Sequence, residues 1–197
     1  TGVGFTPKAL ILFGVNLTAD GYGAGHASFL GVATAASTHR AAATSGDDAV
    51  ASTNTGRIDT TNLIQQVNSG TPTTESVATL TSFDADGFTL NWSDAAASGW
   101  QIHYLALGGA DLANAACGTW TGPAAVGLQD VPGVGFTPDT LLHFGNITSS
   151  AQNTLEASMN FCMGVATGVS DSQQWAASVV SADAQATSLP TNTFLES

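Results

Sequence analysis

The sequence predicts an all-β protein: an antiparallel β-sandwich, jelly-roll-like, with an internal duplication whose second copy is incomplete. Three observations carry that prediction. Short runs of apolar or β-branched residues, about four to eight long, sit between clusters of Gly, Asn, Asp, Ser and Pro, and helical three- and four-residue spacing is almost absent. An Asp-Gly turn separates two alternating runs, the strongest short-range hairpin signal. A thirteen-residue segment occurs twice with nine positions identical.

Taken in order, Lys8 to Phe13 is a continuous apolar run after a proline, and Ala27 to Thr34 is another. Unbroken apolar runs suit strands covered on both faces. Val77 to Asp84 and Phe88 to Trp92 flank Ala85-Asp86-Gly87, with Phe88, Leu90 and Trp92 alternating against Thr89 and Asn91. Gln101 to Leu107 reads as a further strand, closed by Gly108-Gly109. Turn signals about every ten residues point to a sandwich or barrel.

The repeat aligns Gly2-Val-Gly-Phe-Thr-Pro-Lys-Ala-Leu-Ile-Leu-Phe-Gly14 with Gly133-Val-Gly-Phe-Thr-Pro-Asp-Thr-Leu-Leu-His-Phe-Gly145 without a gap. Further on, Gly31-Val-Ala-Thr34 recurs as Gly164-Val-Ala-Thr167, and the match fades through Arg40-Ala-Ala-Ala and Gln174-Trp-Ala-Ala. The unit is about 130 residues, giving a first β repeat at 1–117 and a second, partial one at 118–197 that packs alone or with the first. Gly118 to Pro132 reads as a strand and turn leading into the second copy, and the first copy has no counterpart. Either the natural polypeptide extends beyond both ends, or the missing strands come from the other half or another subunit. The unit should then expose at least two strand edges, which invite pairing in a symmetric dimer or trimer.

Charge excludes several classes. Lys8, Arg40 and Arg57 are the only Lys or Arg residues against fifteen carboxylates, for a net charge of −12. A phosphate backbone needs a clustered basic stripe, so direct nucleic-acid binding is excluded. Nine Phe and four Trp bury enough surface to exclude disorder. No stretch reaches the ~18 apolar residues of a membrane helix, so no membrane partner is expected and the chain reads as a soluble mature species or a fragment.

Tests for chemistry come out nearly empty. Nucleophile-elbow, Walker-type and HExxH patterns are absent, and Gly21-Tyr-Gly-Ala-Gly25 reads as a loop rather than a phosphate cradle. Asp84 and Asp86 resemble the start of a calcium loop, but Ala95 stands where a bidentate Glu is needed, so they read as a hairpin turn. Asp47-Asp48 reads as a solvated pair. Cys117 and Cys162 have no metal-ligand spacing and read as two buried small hydrophobes. His26, His39, His103 and His143 are scattered, and structural roles fit them better than ligation. Tyr22 and Trp100 could form a sugar platform, although strand-end packing explains them as well. The expectation is no enzyme, catalytic residue, metal or cofactor, with any binding residues unassigned.

GFTPKALILFG, the hairpin SFDADGFTLNW (Ser82 to Trp92) and HYLALGG (His103 to Gly109) resemble a family of bacteriophage virion-associated proteins, typically built from two such repeats. The second copy departs from the pattern at Asp139-Thr140 and His143. The resemblance implies a location in the virion and a structural protein, with capsid-surface decoration or cement as the expected role. The alternative is a tail-fibre receptor-binding adhesin or carbohydrate-binding module. Expected partners are other copies of the chain and other capsid or tail proteins, with a host surface glycan as a further candidate.

Overall fold

The computed structural model describes residues 2–68, 73–147, 151–186 and 192–196, and apart from one 3₁₀ turn at Asp171–Gln173 all their regular structure is β. The strands are β1 (Pro7–Val15), β2 (His26–Ala35), β3 (Thr38–Gly46), β4 (Thr55–Thr60), β5 (Ile64–Val67), β6 (Thr74–Asp84), β7 (Gly87–Asp94), β8 (Ile102–Gly108), β9 (Leu141–Asn146), β10 (Glu156–Ala157), β11 (Met159–Ala166), β12 (Gln174–Ser181) and β13 (Asn192–Glu196). They form three antiparallel sheets, ordered β10-β4-β3-β2-β1-β8, β5-β6-β7 and β13-β12-β11-β9.

The first two sheets form the expected sandwich. Alternation along β1 and β2 turns Leu10, Leu12, Phe29 and Ala33 inward, where they meet Leu63, Ile64, Val67, Ala78 and Leu80 from the facing sheet and its approach. Small residues let the layers close: a Cβ on Gly31 would lie 2.0 Å from the Leu63 carbonyl oxygen. Phe88 packs against this core, and Tyr104 of β8, half exposed, makes a T-shaped ring contact with it at 5.4 Å. β1 to β4 and β5 to β7 follow in consecutive order, β8 returns to the free side of β1, and the two-residue β10 adds to the free side of β4. The sandwich is therefore two meanders whose six-stranded sheet is extended by β8 at one edge and β10 at the other, without the interleaved order of a jelly roll.

The expected hairpin joins β6 to β7 with Asp84 opposite Gly87 and Ala85-Asp86 at the tip. The amino-terminal segment fastens it, since Val3 N–H donates to the Asp86 carbonyl at 3.1 Å and Gly4 N–H donates to its carboxylate. Gly4 has a positive φ of 87° and Gly135, its match in the second GVGFTP segment, one of 82°, so one left-handed turn explains a glycine at both positions.

Strand pairing also corresponds between the halves. Leu12, Gly31, Ala41 and Thr60 stand in one row across β1 to β4; His143, Gly164, Ala176 and Glu196 form the row across β9, β11, β12 and β13. Ala41 thus matches Ala176, and Trp175 rather than Gln174 takes the place of Arg40, a slip of one from the sequence alignment.

Two expectations fail here. Gly118 to Pro132 is not a strand; between Gly108 and Leu141 the chain is irregular and largely exposed. Glycines at 118, 122 and 127 and prolines at 123 and 132 remove stiffness and donors, and no strand among the described residues lies alongside to supply a ladder. The continuous run in β1 is not covered on both faces either, because Phe13 remains 46% exposed.

Candidate interaction surface

The outward face of β8, β1 and β2 is an organised apolar feature outside the core. Register places Leu105, Ile11 and Val32 in one row and His103, Phe13 and Leu30 in the next. Leu105 is 53% exposed and Leu107 lies beyond it, whereas Ile11, Leu30 and Val32 are half-buried. No charged side chain interrupts these rows. The Lys8 ammonium at the edge donates to the carbonyls of Gly109 at 3.0 Å and Leu112 at 2.7 Å. Arg40 donates to Thr119 Oγ1 and to the His39 carbonyl.

Beside this face, the ends of β9 and β11 abut the outer side of β3 and β4. Asn146 donates its backbone N–H to both Asp59 carboxylate oxygens at 3.1 and 3.2 Å, and its side-chain amide to Asp59 Oδ1 at 3.0 Å. The same amide reaches the Ala43 and Ile58 carbonyls. Asn153 Oδ1 accepts from Thr60 and Thr61, and Arg57 pairs with Glu156 at 2.6 Å, both side chains only 10% exposed. Thr53 and Thr55 tie the loop after β3 to residues 181–185. Where the layers meet, Phe161 closes a cavity of about 40 Å³ with Phe13, Leu30, Ala42 and Thr44.

The joint sets the local electrostatics. Desolvation pushes the Asp59 carboxyl above its ordinary value, against the Asn146 hydrogen bonds and the Arg57 charge. Burial, then the Asp59 charge, pushes the Cys162 thiol up. Asp84 moves the other way, held down by the hydroxyls of Ser82 and Thr89.

The residues singled out in the sequence scatter over the fold. Asp84 and Asp86 serve the hairpin. Asp47 and Asp48 line an open cleft of about 480 Å³ with His26, Thr53, Thr55 and Met159. His39 is buried and its Nδ1 donates to the Thr61 carbonyl at 2.7 Å; His26 Nε2 lies 3.0 Å from Thr44 Oγ1. His103 and His143 are exposed on their strands, His143 beneath the edge of Trp120. Tyr22 is fully exposed and Trp100 half-buried, and the ring contacts found among the described residues include neither. Both cysteines are free thiols; Cys117 is half-buried between Thr34 and Thr38, but Cys162 is exposed and not the buried hydrophobe expected. No cluster of three or more metal-ligating side chains occurs among the described residues.

The joint itself went unread in the sequence, although two signals marked it. Arg57 is one of three cations and lies beside the buried Ile58, and Asn146 stands where the first copy has Val15. Compared with protein-family models, curated proteins and solved structures, the chain finds no match.

Proposed function

We propose that this chain is a non-enzymatic virion structural protein of a bacteriophage, most specifically a decoration or cement protein on the capsid surface, acting by assembly through its open sheets. The observation that carries the assembly reading is the outward face of β8, β1 and β2. Its apolar run has the pattern of a strand covered twice, and the chain itself supplies the core cover and leaves Phe13 and Leu105 about half exposed. A second protein surface would complete it with few charges to desolvate. An apolar face of this kind marks an interaction site when its rim is polar. The virion and capsid parts rest on the resemblance of GFTPKALILFG, SFDADGFTLNW and HYLALGG to phage virion-associated proteins.

The duplication belongs to the same proposal: two copies of one β unit, residues 1–117 and 118–197, share the GVGFTP turn and the strand register behind it. Among the groups with shifted proton affinity, Asp59, Asp84 and Cys162 lie among structural contacts, and His26, whose proton affinity burial lowers, lies beside the hydroxyls of Thr44 and Ser28 on the neighbouring strand and its own. Quantitative mass spectrometry of purified particles tests the reading. A copy number comparable to that of the shell subunit supports decoration, a small fixed number places the chain in the tail, and absence from particles overturns the proposal.

A further inference from the structure

The chain contains two chemically matched tetrapeptides, Ala19-Asp20-Gly21-Tyr22 and Ala85-Asp86-Gly87-Phe88. Each sets an aspartate before a glycine, which lacks the Cβ that would shield its main-chain nitrogen and limit its rotation. An alanine precedes and an aromatic residue follows in both, so the intrinsic chemistry of the two is alike and only the fold distinguishes them.

Asp86 is fastened on several sides. Its carbonyl accepts the Val3 N–H at 3.1 Å, and its carboxylate accepts the Gly4 N–H and lies so near Gly2 that a Cβ there would overlap it. Gly87 is buried and stands opposite Asp84 in the β6–β7 ladder. Asp20 and Gly21 lie instead in the connection from β1 to β2, where residues 18–24 are exposed without a break. Among the described residues neither has a hydrogen-bond partner. The main-chain bonds of this loop lie at its ends, from Asn16 N–H to the Ala27 carbonyl and from Gln101 N–H to the Leu17 carbonyl.

We propose that Asp20-Gly21 is a self-modifying site that converts to isoaspartate in the folded protein, while the fold protects Asp86-Gly87 from the same reaction. The Gly21 nitrogen gives up its proton and attacks the carboxyl carbon of Asp20; a C–N bond forms and a carboxyl oxygen leaves as water, closing a succinimide ring. Water then opens the ring. Cleavage of the bond to the side-chain carbonyl restores aspartate, whereas cleavage of the bond to the main-chain carbonyl routes the chain through the side chain and leaves a free α-carboxylate. Water is lost and regained, so mass and net charge are unchanged and no other reactant is needed. The main chain gains a methylene. At Asp86 that methylene would disturb the pairing of Asp84 with Gly87; at Asp20 the exposed loop absorbs it, beside Gly23 and Gly25, which line the cleft with Asp47 and Asp48. Ring closure needs the glycine nitrogen to swing against the carboxyl, a motion cheap in a loop of low local stability and costly where a ladder and a clasp must open first. The proposal is independent of the assembly reading.

The test ages the full chain at neutral pH, folded and in guanidinium, and reads both sites by peptide mass spectrometry with fragmentation that separates the two aspartate isomers. Methyl transfer from S-adenosylmethionine by an isoaspartyl methyltransferase gives a second readout. In the folded chain isoaspartate is expected to form at position 20 about tenfold or more faster than at position 86, and in guanidinium the two rates are expected to agree within about twofold. Asp20→Glu should remove most of the methyl acceptance of the aged folded chain, because glutamate would have to close a larger, less favourable ring. Equal rates in the folded chain, a faster rate at Asp86, or a preference for Asp20 that persists in guanidinium overturns the inference, the last by assigning the difference to local sequence. So does an aged folded chain without isoaspartate at position 20.

Discussion

Asp59 and Asn146 join the six-stranded and four-stranded sheets: one carboxylate on the outer side of β4 accepts the backbone N–H and the side-chain amide of the last residue of β9. The valine at this place in the first copy has no side-chain donor, so a single change in the repeated strand turns an ordinary strand end into a clamp. Removing one partner leaves the other poorly satisfied in a half-buried position. Asn146→Ala should cost about 1–3 kcal/mol in chemical denaturation, and a double-mutant cycle with Asp59→Ala should return a clear coupling energy. Additive costs would mean that the bonds do not hold the joint.

The same carboxyl makes a pH-dependent prediction. Asp59 binds its proton more tightly folded than unfolded, because desolvation outweighs the hydrogen bonds and the Arg57 charge. Its contribution to stability is fullest below the unfolded pKa and declines as pH rises through the window up to the folded one. Asp59→Asn lacks this decline, so its stability relative to the parent should rise with pH across that window. Paired denaturation curves from acid to neutral pH measure the difference, and a relative stability that falls with pH contradicts the assignment.

Arg57 and Glu156 form the buried counterpart of that clamp, with the guanidinium also donating to the carbonyls of Ala157 and Ser158. Glu156→Ala leaves a cation behind in a site only 10% exposed and should cost about 3–5 kcal/mol. Replacing both residues by apolar ones of similar size should cost much less. A double variant as weak as the single one would show that the pair contributes more than mutual compensation.

Gly31 and Gly164 open the two GVAT segments and stand in corresponding pairing rows of their sheets, but they meet different surroundings. A Cβ at Gly31 would strike the Leu63 carbonyl at 2.0 Å, because β5 lies against that face; at Gly164 the nearest atom is the Trp175 carbonyl oxygen at 3.3 Å. Gly31→Ala should destabilise the fold by about 2–4 kcal/mol, and Gly164→Ala should stay within about 1 kcal/mol. Equal costs at the two sites would mean that the second sheet is covered as closely as the first.

These contrasts separate what the sequence displays from what it hides. Strands β1, β2, β6, β7 and β8 are legible because their own residues carry the signal: apolar runs, alternation and an Asp-Gly turn. β3 is not, since Thr38-His-Arg-Ala-Ala-Ala-Thr-Ser-Gly46 is small and polar and is a strand because neighbours hold both its edges and cover both its faces. The reading of Gly118 to Pro132 as a strand fails for the converse reason, an alternating stretch with no neighbour. Asp59, Arg57 and Asn153 form a joint only through contacts from 87 to 101 residues apart, which no local pattern encodes.

The outward face of β8, β1 and β2 is where the account stands or falls. Phe13→Glu with Leu105→Glu should leave the core intact, since both side chains point away from it and both are about half exposed. The deciding measurement is the fraction of parent and double-variant chain recovered with particles when both are made together during particle production, alongside their melting temperatures. The account predicts that the parent is bound to particles and that the variant, melting within a few degrees of it, stays in the free pool. Equal recovery of both chains, or recovery of neither, would contradict it.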